Sequence, residues 1–169
     1  MDAAVQHLLD QNAVEKVHVR YCRGIDRTDW KLVRSCFHDD AYADYGDFKG
    51  KLDDFIAYAQ RGVIFQYTMH FIGNQLVEIV GDTAWAEHYT RAYHRILPTE
   101  QAPASDWHMC LRYIDRMEKR KDEWRIANRV MIVESVHMLP VGDVPDFVAS
   151  FNKGVRGPDD FCYNRSLGR

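Results

Sequence analysis

The stretch Gln75–Leu97 reads QLVEIVGDTAWAEHYTRAYHRIL and contains two runs of alternating apolar and polar residues, separated by Gly81-Asp82. Alternation with a period of two is typical of half-buried β-strands, and the Gly-Asp pair predicts a tight turn between them. Two further stretches of this kind follow, Trp107–Lys119 and Trp124–Leu139. The sequence therefore predicts a meander of long antiparallel strands in the second half of the chain.

The first half of the chain is predicted to be mostly helical. Apolar residues recur at helical spacing over Asn12–Ile25, with Asn12 as the expected cap, and Asp29 is placed to cap a second short helix over Trp30–Phe37. A strand over Ala41–Phe48 and a helix over Asp53–Arg61 follow. Helices first and strands afterwards indicate an α+β fold. We expect a cone-shaped α+β barrel, in which a strongly curved antiparallel sheet and the N-terminal helices enclose a pocket.

The length of 169 residues predicts a single domain, since chains of this size usually build one hydrophobic core. We expect residues 1–140 to form the cone domain. Residues 141–169 contain one short apolar stretch, Phe147–Phe151. We expect them to form a C-terminal tail that acts as a lid or as an oligomer arm.

Charge and composition exclude several classes of partner. The 22 basic and 25 acidic residues are well mixed and form no basic stripe, which argues against nucleic acid. The sequence contains neither a run of 18 apolar residues nor a secretory signal, so we expect a cytoplasmic protein without membrane contact. The four cysteines form no C-x-x-C pair and are predicted to be reduced. The 9 tyrosines and 8 histidines instead favour an apolar pocket for a small molecule.

Several short segments occur together in an order that is similar to a known family. They are Tyr21-x-x-x-x-Asp26-x-x-Asp29-Trp30, Ala43-Asp44-Tyr45, His70-Phe71-Ile72-Gly73-Asn74, Arg112-Tyr113-x-Asp115-Arg116 and Trp124-Arg125-Ile126. From about residue 10 to residue 137, the chain resembles the SnoaL-like group of the nuclear-transport-factor-type cone superfamily. This group includes scytalone dehydratase, bile-acid 7α-dehydratase and a hexachlorocyclohexane dehydrochlorinase. The resemblance implies a cofactor-free enzyme that assembles as a homodimer or homotrimer.

The resemblance also implies catalytic roles for four residues. His70 occupies the position of the catalytic histidine of these lyases, and Asp26 that of the aspartate which orients it. Tyr45 matches the tyrosine with which scytalone dehydratase holds the catalytic water or the substrate carbonyl. His94 matches the second active-site histidine of that enzyme.

Other positions depart from scytalone dehydratase, so that scytalone is not the expected substrate. The second tyrosine of that enzyme falls at Ile25, and its serine and asparagine fall near Leu111 and Tyr113. Tyr21 instead matches a tyrosine of the bile-acid dehydratase, whose additional aspartate has no counterpart here. We expect Tyr21, Tyr113, Ile25 and Leu111 to contact the substrate.

The residue types in these positions suit an acid–base elimination. Imidazole has a pKa near neutrality, so His70 can act as a base, and the Asp26 carboxylate can hold it in the correct tautomer. A phenol such as Tyr45 can donate to a developing oxyanion, and His94 can serve as an acid for the leaving group. The predicted activity is that of a lyase, a dehydratase or a related elimination or retro-aldol cleavage, acting on a small hydroxylated aromatic or alicyclic compound.

Structural interpretations of the same residues remain open at this point. Asp26 can instead cap the helix that starts near Asp29, His70 can be a hydrogen-bonded histidine at a strand start, and the tyrosines can be core aromatics. His88 and His94 share one face of a strand, as metal ligands would, but no third ligand can be placed and we predict no metal. The sequence contains no Gly-rich phosphate loop, so we predict no organic cofactor either.

Three other functions compete with the lyase. An isomerase or polyketide cyclase in the same fold would use the same residues. A non-catalytic small subunit of a ring-hydroxylating oxygenase would use the cone for assembly alone. A ligand-binding protein without turnover would gain support if Asp26 and His70 lay beyond hydrogen-bond distance.

Overall fold

The structure is a computed structural model and describes residues 2–61 and 65–164. The elements in these residues are, in chain order, α1 (Ala3–Asp26), α2 (Trp30–Ser35), β1 (Phe37–Asp44), β2 (Lys49–Lys51), α3 (Leu52–Arg61), β3 (Phe65–Val80), β4 (Thr83–Ile96), β5 (Ser105–Arg120), β6 (Glu123–Pro140) and two short 3-10 helices, Asp146–Ser150 and Phe161–Tyr163. The α+β class is confirmed.

The strands of the described residues form one six-stranded sheet in the order β2-β1-β6-β5-β4-β3. The predicted antiparallel meander is confirmed for β3 to β6, whereas β1 pairs with β6 in parallel, with Ala43 opposite Arg129. The sheet is also not closed into a barrel. Its edge strands, β2 and β3, do not pair with each other.

Helix α1 begins nine residues earlier than the predicted start at Asn12. Its N-cap is Asp2, whose carboxylate accepts hydrogen bonds from the backbone N–H groups of Ala4 and Val5. Leu8 and Leu9 in the first turns are exposed, so this part of the helix lacks the buried stripe that periodicity detects. Asp29, in contrast, caps α2 as predicted and accepts a hydrogen bond from the Leu32 N–H at 3.0 Å.

Two strand boundaries differ from the prediction for local reasons. The expected strand Ala41–Phe48 is shifted to Phe37–Asp44, because a turn at Gly46, with a φ of +87°, ends it and leads into β2. Strand β3 begins at Phe65 rather than at Gln75. The alternation is interrupted at Gly73-Asn74, where the structure has a register shift between Ile72 and Gln75 within one continuous strand.

The hydrophobic core lies between the helices and the inner face of the sheet. On β4 the inward positions alternate strictly, and they carry Ala84, Ala86, His88, Thr90 and Ala92, all buried. Small side chains occupy three of these positions, and buried residues of the helices, Tyr21 of α1 and Phe55 of α3 among them, belong to the same core. None of the helices in residues 2–61 and 65–164 combines the length and apolar character that a membrane span requires.

Candidate functional site

A cavity of about 710 Å³ lies between the helices and the inner face of the sheet. Its wall is mainly apolar, with Trp30, Phe55, Phe65, Trp107 and Met109 among the lining side chains. Seven of the eight predicted site residues also line this cavity: Tyr21, Ile25, Tyr45, His70, His94, Leu111 and Tyr113. The eighth, Asp26, lies behind His70 and contacts it. The structure therefore brings all eight predicted residues to one place.

His70 and Asp26 form a buried pair at one end of the cavity. The His70 Nδ1–H donates to Asp26 Oδ1 at 2.7 Å, and the two side chains are only 5% and 9% exposed. Because Asp26 holds the proton-bearing Nδ1, the His70 Nε2 is the ring nitrogen available to a substrate in the cavity. This geometry satisfies the condition for a base that an aspartate holds in one tautomer.

Two further donors fix the Asp26 carboxylate. Thr68 Oγ1–H donates to Oδ1 at 2.8 Å, and the His70 backbone N–H donates to Oδ2 at 2.9 Å. Burial raises the pKa of the Asp26 carboxyl, but the hydrogen bonds and charge of His70, together with Thr68, outweigh it, so the pKa lies below its ordinary value. Asp26 is the last residue of α1 and does not cap α2, a task that Asp29 performs.

Three phenols form a second part of the site. The hydroxyl groups of Tyr21 and Tyr45 are hydrogen-bonded at 2.8 Å, and the ring of Tyr113 packs edge-on against both. Burial raises the pKa of all three phenols well above the ordinary value. They are therefore neutral O–H groups near pH 7, which can donate hydrogen bonds to a developing oxyanion.

His94 lies across from the base, with its ring perpendicular to that of His70 and the centroids 5.3 Å apart. Burial, and then the neighbouring His70, lower its pKa to about 3. Its Nδ1 is buried and has no hydrogen-bond partner among the described residues. A histidine that is neutral at physiological pH is a poor general acid, so the geometry favours a role for His94 in hydrogen bonding to the substrate.

Beneath the phenols lies a buried cation that the sequence pattern did not indicate. The guanidinium of Arg129 lies 4.2 Å from the ring centroid of Tyr21 and 4.3 Å from that of Tyr113. Its Nε and Nη2 donate to the two oxygens of Asp115 at 2.8 and 2.6 Å, and both residues are fully buried. A cation in this position favours electron-rich phenol oxygens and any anion that forms beside them.

The alternation of the sequence does not predict that Arg129 is buried, because β6 contains a bulge. Strict alternation from Trp124 directs Ile126 and Asn128 inward and leaves Arg129 on the outside. The structure has a register shift at this point, so that Ile126 and Ala127 are both buried and the inward parity changes. Arg129 consequently faces the core.

A group of potential metal ligands lies next to this ion pair. The ligand atoms of His18, His88 and Asp115 lie within 4.8 Å of one another. However, both Asp115 oxygens already accept from Arg129, and a buried guanidinium opposes a second cation in contact with the same carboxylate. The donor set therefore fits a structural polar network better than a metal centre. His94, the other predicted candidate for a metal pair with His88, instead packs against His70.

The chain is similar in sequence to a known protein family. A family model for the SnoaL-like domain matches residues 6–130. No curated protein matches the chain.

Among solved structures, the fold is similar to that of a hexachlorocyclohexane dehydrochlorinase from Novosphingobium barchaimii, with a TM-score of 0.73 and 16% identity over 85% of this chain and 99% of that one. It is also similar to a protein from Novosphingobium aromaticivorans provisionally assigned as a scytalone dehydratase, with a TM-score of 0.66 and 19% identity over 84% and 99% of the two chains. The Kfla4162 protein of Kribbella flavida has a TM-score of 0.70 and 20% identity over 78% and 95%. By its match over residues 6–130, the chain belongs to the SnoaL-like domain family.

Proposed function

We propose that this protein is a cofactor-independent lyase that eliminates water or a related leaving group from a small hydroxylated aromatic or alicyclic compound. The observation that carries the proposal is the buried contact of 2.7 Å between His70 Nδ1 and Asp26 Oδ1 on the wall of a cavity of about 710 Å³. The similar dehydrochlorinase fold supports it, since that protein is named for an elimination. A ligand-binding protein without turnover has no need for a base held in one tautomer.

In the proposed reaction His70 Nε2 removes a proton from a carbon beside a carbonyl or an activated ring. The electron pair moves towards the ring or the carbonyl oxygen, where the hydroxyl of Tyr45 or Tyr21 donates a hydrogen bond to the developing negative charge. The bond to the leaving oxygen then breaks. Because His94 is neutral, the proton for that oxygen comes from the His70 imidazolium, and water leaves with the base regenerated.

Two charged residues, Asp26 and Arg129, support this assignment of roles. Asp26 stabilises the imidazolium that exists between the two proton transfers. Arg129, packed against the phenol rings, holds a positive charge close to the Tyr21–Tyr45 pair that donates to the developing oxyanion. An isomerase or polyketide cyclase would use the first proton transfer without the loss of a group, so the product distinguishes it from a lyase.

We also propose that the protein assembles as a homodimer or homotrimer through the outer face of the sheet. This face carries large exposed apolar side chains on neighbouring strands, namely Leu76, Trp85, Tyr89, Ile114 and Val130. Burying such a patch is favourable, and monomeric proteins seldom leave one uncovered. Light scattering coupled to size exclusion tests the assembly, and Trp85→Glu should lower the measured mass.

The lyase proposal is tested with a panel of hydroxylated ring compounds in D₂O. Mass spectrometry reports the loss of water as the lyase product and the uptake of deuterium without loss as isomerase chemistry. For a substrate so identified, His70→Ala should lower kcat by at least about 10²-fold, the contribution of a positioned base. The same variant should remain folded.

His137→Ala is the matched control, since His137 is an exposed histidine on the last strand. It should retain the activity of the unsubstituted protein. Full specific activity in folded His70→Ala would end the acid–base proposal, whatever compound is used.

A further inference from the structure

The C-terminal tail inserts one cation into the wall of the cavity. Arg156 lines the cavity together with His70 and His94. Its Nη1 donates to the Phe65 carbonyl oxygen at 2.9 Å, which fixes the guanidinium at the start of β3. The tail position is thus tied to the same strand that carries the proposed base.

Contacts on either side of Arg156 hold the tail in place. Arg27 Nη1 donates to the Val155 carbonyl at 2.9 Å and to Asp160 Oδ2 at 3.0 Å. Further along, the Tyr163 hydroxyl donates to Asp29 at 3.2 Å. Because the flanking residues are anchored to the end of α1 and the cap of α2, the position of Arg156 is determined on both sides.

One edge of the Arg156 guanidinium has no partner among the described residues. Nη1 is bonded to Phe65, whereas Nε is buried and makes no hydrogen bond within that part of the chain. The neighbouring carboxylates of Asp160 and Asp26 are bound by Arg27 and His70, and Arg156 makes no ion pair within residues 2–61 and 65–164. The Nε/Nη2 edge is the one that Arg129 uses to bind both oxygens of Asp115 in this protein. Arg156 therefore has a buried donor, Nε, that no Asp or Glu of the described residues satisfies, and a carboxylate that accepts from this edge would satisfy it.

The charge of this guanidinium is also not neutralised locally. Burial lowers the pKa of Arg156, the nearby charge of Asp26 raises it, and Arg27 lowers it further, with a net decrease. Asp26 is already engaged by His70 and Thr68. An arginine side chain stays protonated even so, which leaves a cation on the cavity wall without an ion-pair contact among the described residues.

We propose that Arg156 binds a carboxylate group of the substrate, so that the substrate of this site is an aromatic or alicyclic carboxylic acid. The inference rests on the proposed function for the choice of ring compounds, but it concerns binding alone. A planar group with two oxygens matches the free edge of the guanidinium, and the apolar wall around Trp107 and Met109 accommodates the ring.

The test compares an acid with its neutral isostere. Isothermal titration calorimetry measures the binding of 2-naphthoate and 2-naphthamide to the full-length chain, and the ratio of the two affinities is the readout. The acid should bind at least about tenfold more tightly than the amide. Arg156→Gln should weaken binding of the acid by about 10- to 100-fold and leave that of the amide unchanged, the range expected for hydrogen bonds to a charged group. Arg156→Lys, which keeps the charge but loses the fork, should be intermediate.

Two control variants isolate the contribution of Arg156 from that of its neighbours in the cavity. Arg61→Gln removes another arginine that lines the cavity, one that bonds to the Ala57 carbonyl, and should leave the affinity ratio unchanged. His70→Ala should also retain the ratio, since binding does not depend on the base. Full turnover in His70→Ala together with a preserved ratio would therefore refute the lyase and not the carboxylate site.

Three results would overturn the inference. One is the absence of any preference for the acid in the unsubstituted protein, including the absence of measurable binding. Another is a ratio that persists in Arg156→Gln or disappears in Arg61→Gln. The third is tighter binding of 2-naphthyl phosphate than of 2-naphthoate, which would assign the cation to a phosphate group. If Arg156 only anchors the tail, the substitution changes acid and amide affinity equally and the ratio stays constant.

Discussion

Asp26→Asn provides the sharpest test of how the site works, because the carboxylate accepts from three donors. These are the His70 ring Nδ1–H at 2.7 Å, the His70 backbone N–H at 2.9 Å and the Thr68 hydroxyl at 2.8 Å. An asparagine keeps the shape but has one acceptor oxygen and one donor NH₂ group. If the oxygen stays with the backbone N–H, the NH₂ faces Nδ1 and forces the imidazole into the opposite tautomer.

The two orientations of the amide have different costs, and both are unfavourable. Facing Nδ1, the NH₂ group moves the ring proton to Nε2 and removes the lone pair that the base needs. Facing the backbone N–H, it leaves two buried donors in contact, at a cost of about 1–3 kcal/mol of folding free energy. Removal of the orienting carboxylate has cost about 10⁴-fold in a serine protease, so we expect a loss of kcat of about 10²- to 10⁴-fold in this protein.

The tautomer can be measured without a substrate. The ¹⁵N chemical shifts of the His70 ring should report a protonated Nδ1 and a free Nε2 in the unsubstituted protein, and the reverse in Asp26→Asn. The rate is then measured on the same samples, together with the free energy of unfolding from urea titration. The product of the two single effects should exceed the effect of the Asp26→Asn/His70→Ala double variant, since the two residues act as one unit.

Thr68→Val is the matched control for this prediction. It removes one hydrogen bond to the Asp26 carboxylate and leaves the contact with His70, so we expect a decrease in kcat of about tenfold, the low end for a hydrogen bond to a charged group and less than the decrease in Asp26→Asn. The reasoning is refuted if Asp26→Asn retains the Nδ1-protonated tautomer and loses activity, or if it changes the tautomer and keeps full activity.

Three further predictions concern stability. Burial lowers the pKa of His88 to about 2, so the neutral ring contributes fully to stability above the unfolded-state pKa near 6.5. This contribution decreases by about 1.4 kcal/mol per pH unit as the pH falls below that value. Urea titrations from roughly pH 7 to 4 should therefore show a weaker dependence of the unfolding free energy on pH for His88→Gln than for the unsubstituted protein. Arg129→Met leaves Asp115 buried without its arginine and with only His18 within ion-pair distance, and should lower the free energy of unfolding by about 3–5 kcal/mol, with partial recovery in Arg129→Met/Asp115→Leu; a loss below about 1 kcal/mol would contradict this. A Cβ at position 24 would lie 2.7 Å from Val33 Cγ2, so Gly24→Ala should cost about 1–3 kcal/mol in thermal unfolding, whereas Gly142→Ala, in open space, should be neutral.

The sequence was sufficient to predict those features that depend on local pattern. Alternation is strict in β4, so its extent was predicted within one residue, and the Asp29 cap followed from its position before an apolar helix. The resemblance placed Asp26 and His70 in one site, but it carried no information on the Thr68 hydrogen bond. That contact depends on how β3 crosses the end of α1, a relation between elements far apart in sequence.

Features that depend on irregularities could not be predicted from pattern. Arg129 faces inward only because a bulge changes the parity of β6, and a period-two interpretation places it outside. The parallel pairing of β1 with β6 cannot be inferred from either strand alone. Arg156 lies in an irregular tail, where no periodicity indicates which side chain turns towards the cavity.

The arrangement of charges suggests why the site combines two arginines with different partners. Arg129 is saturated by Asp115 and acts on the phenol rings from below, so it can contribute a field but cannot bind a ligand through its Nε/Nη2 edge. The same edge of Arg156 makes no hydrogen bond to the described residues, and Arg156 lies on the cavity wall. A substrate with a carboxylate on Arg156 would be held at the end of the cavity that contains His70. Its distance from the base is then set by β3, because Phe65 anchors Arg156 and the same strand carries His70. Shortening or lengthening this strand segment should therefore change kcat more than the affinity for the acid.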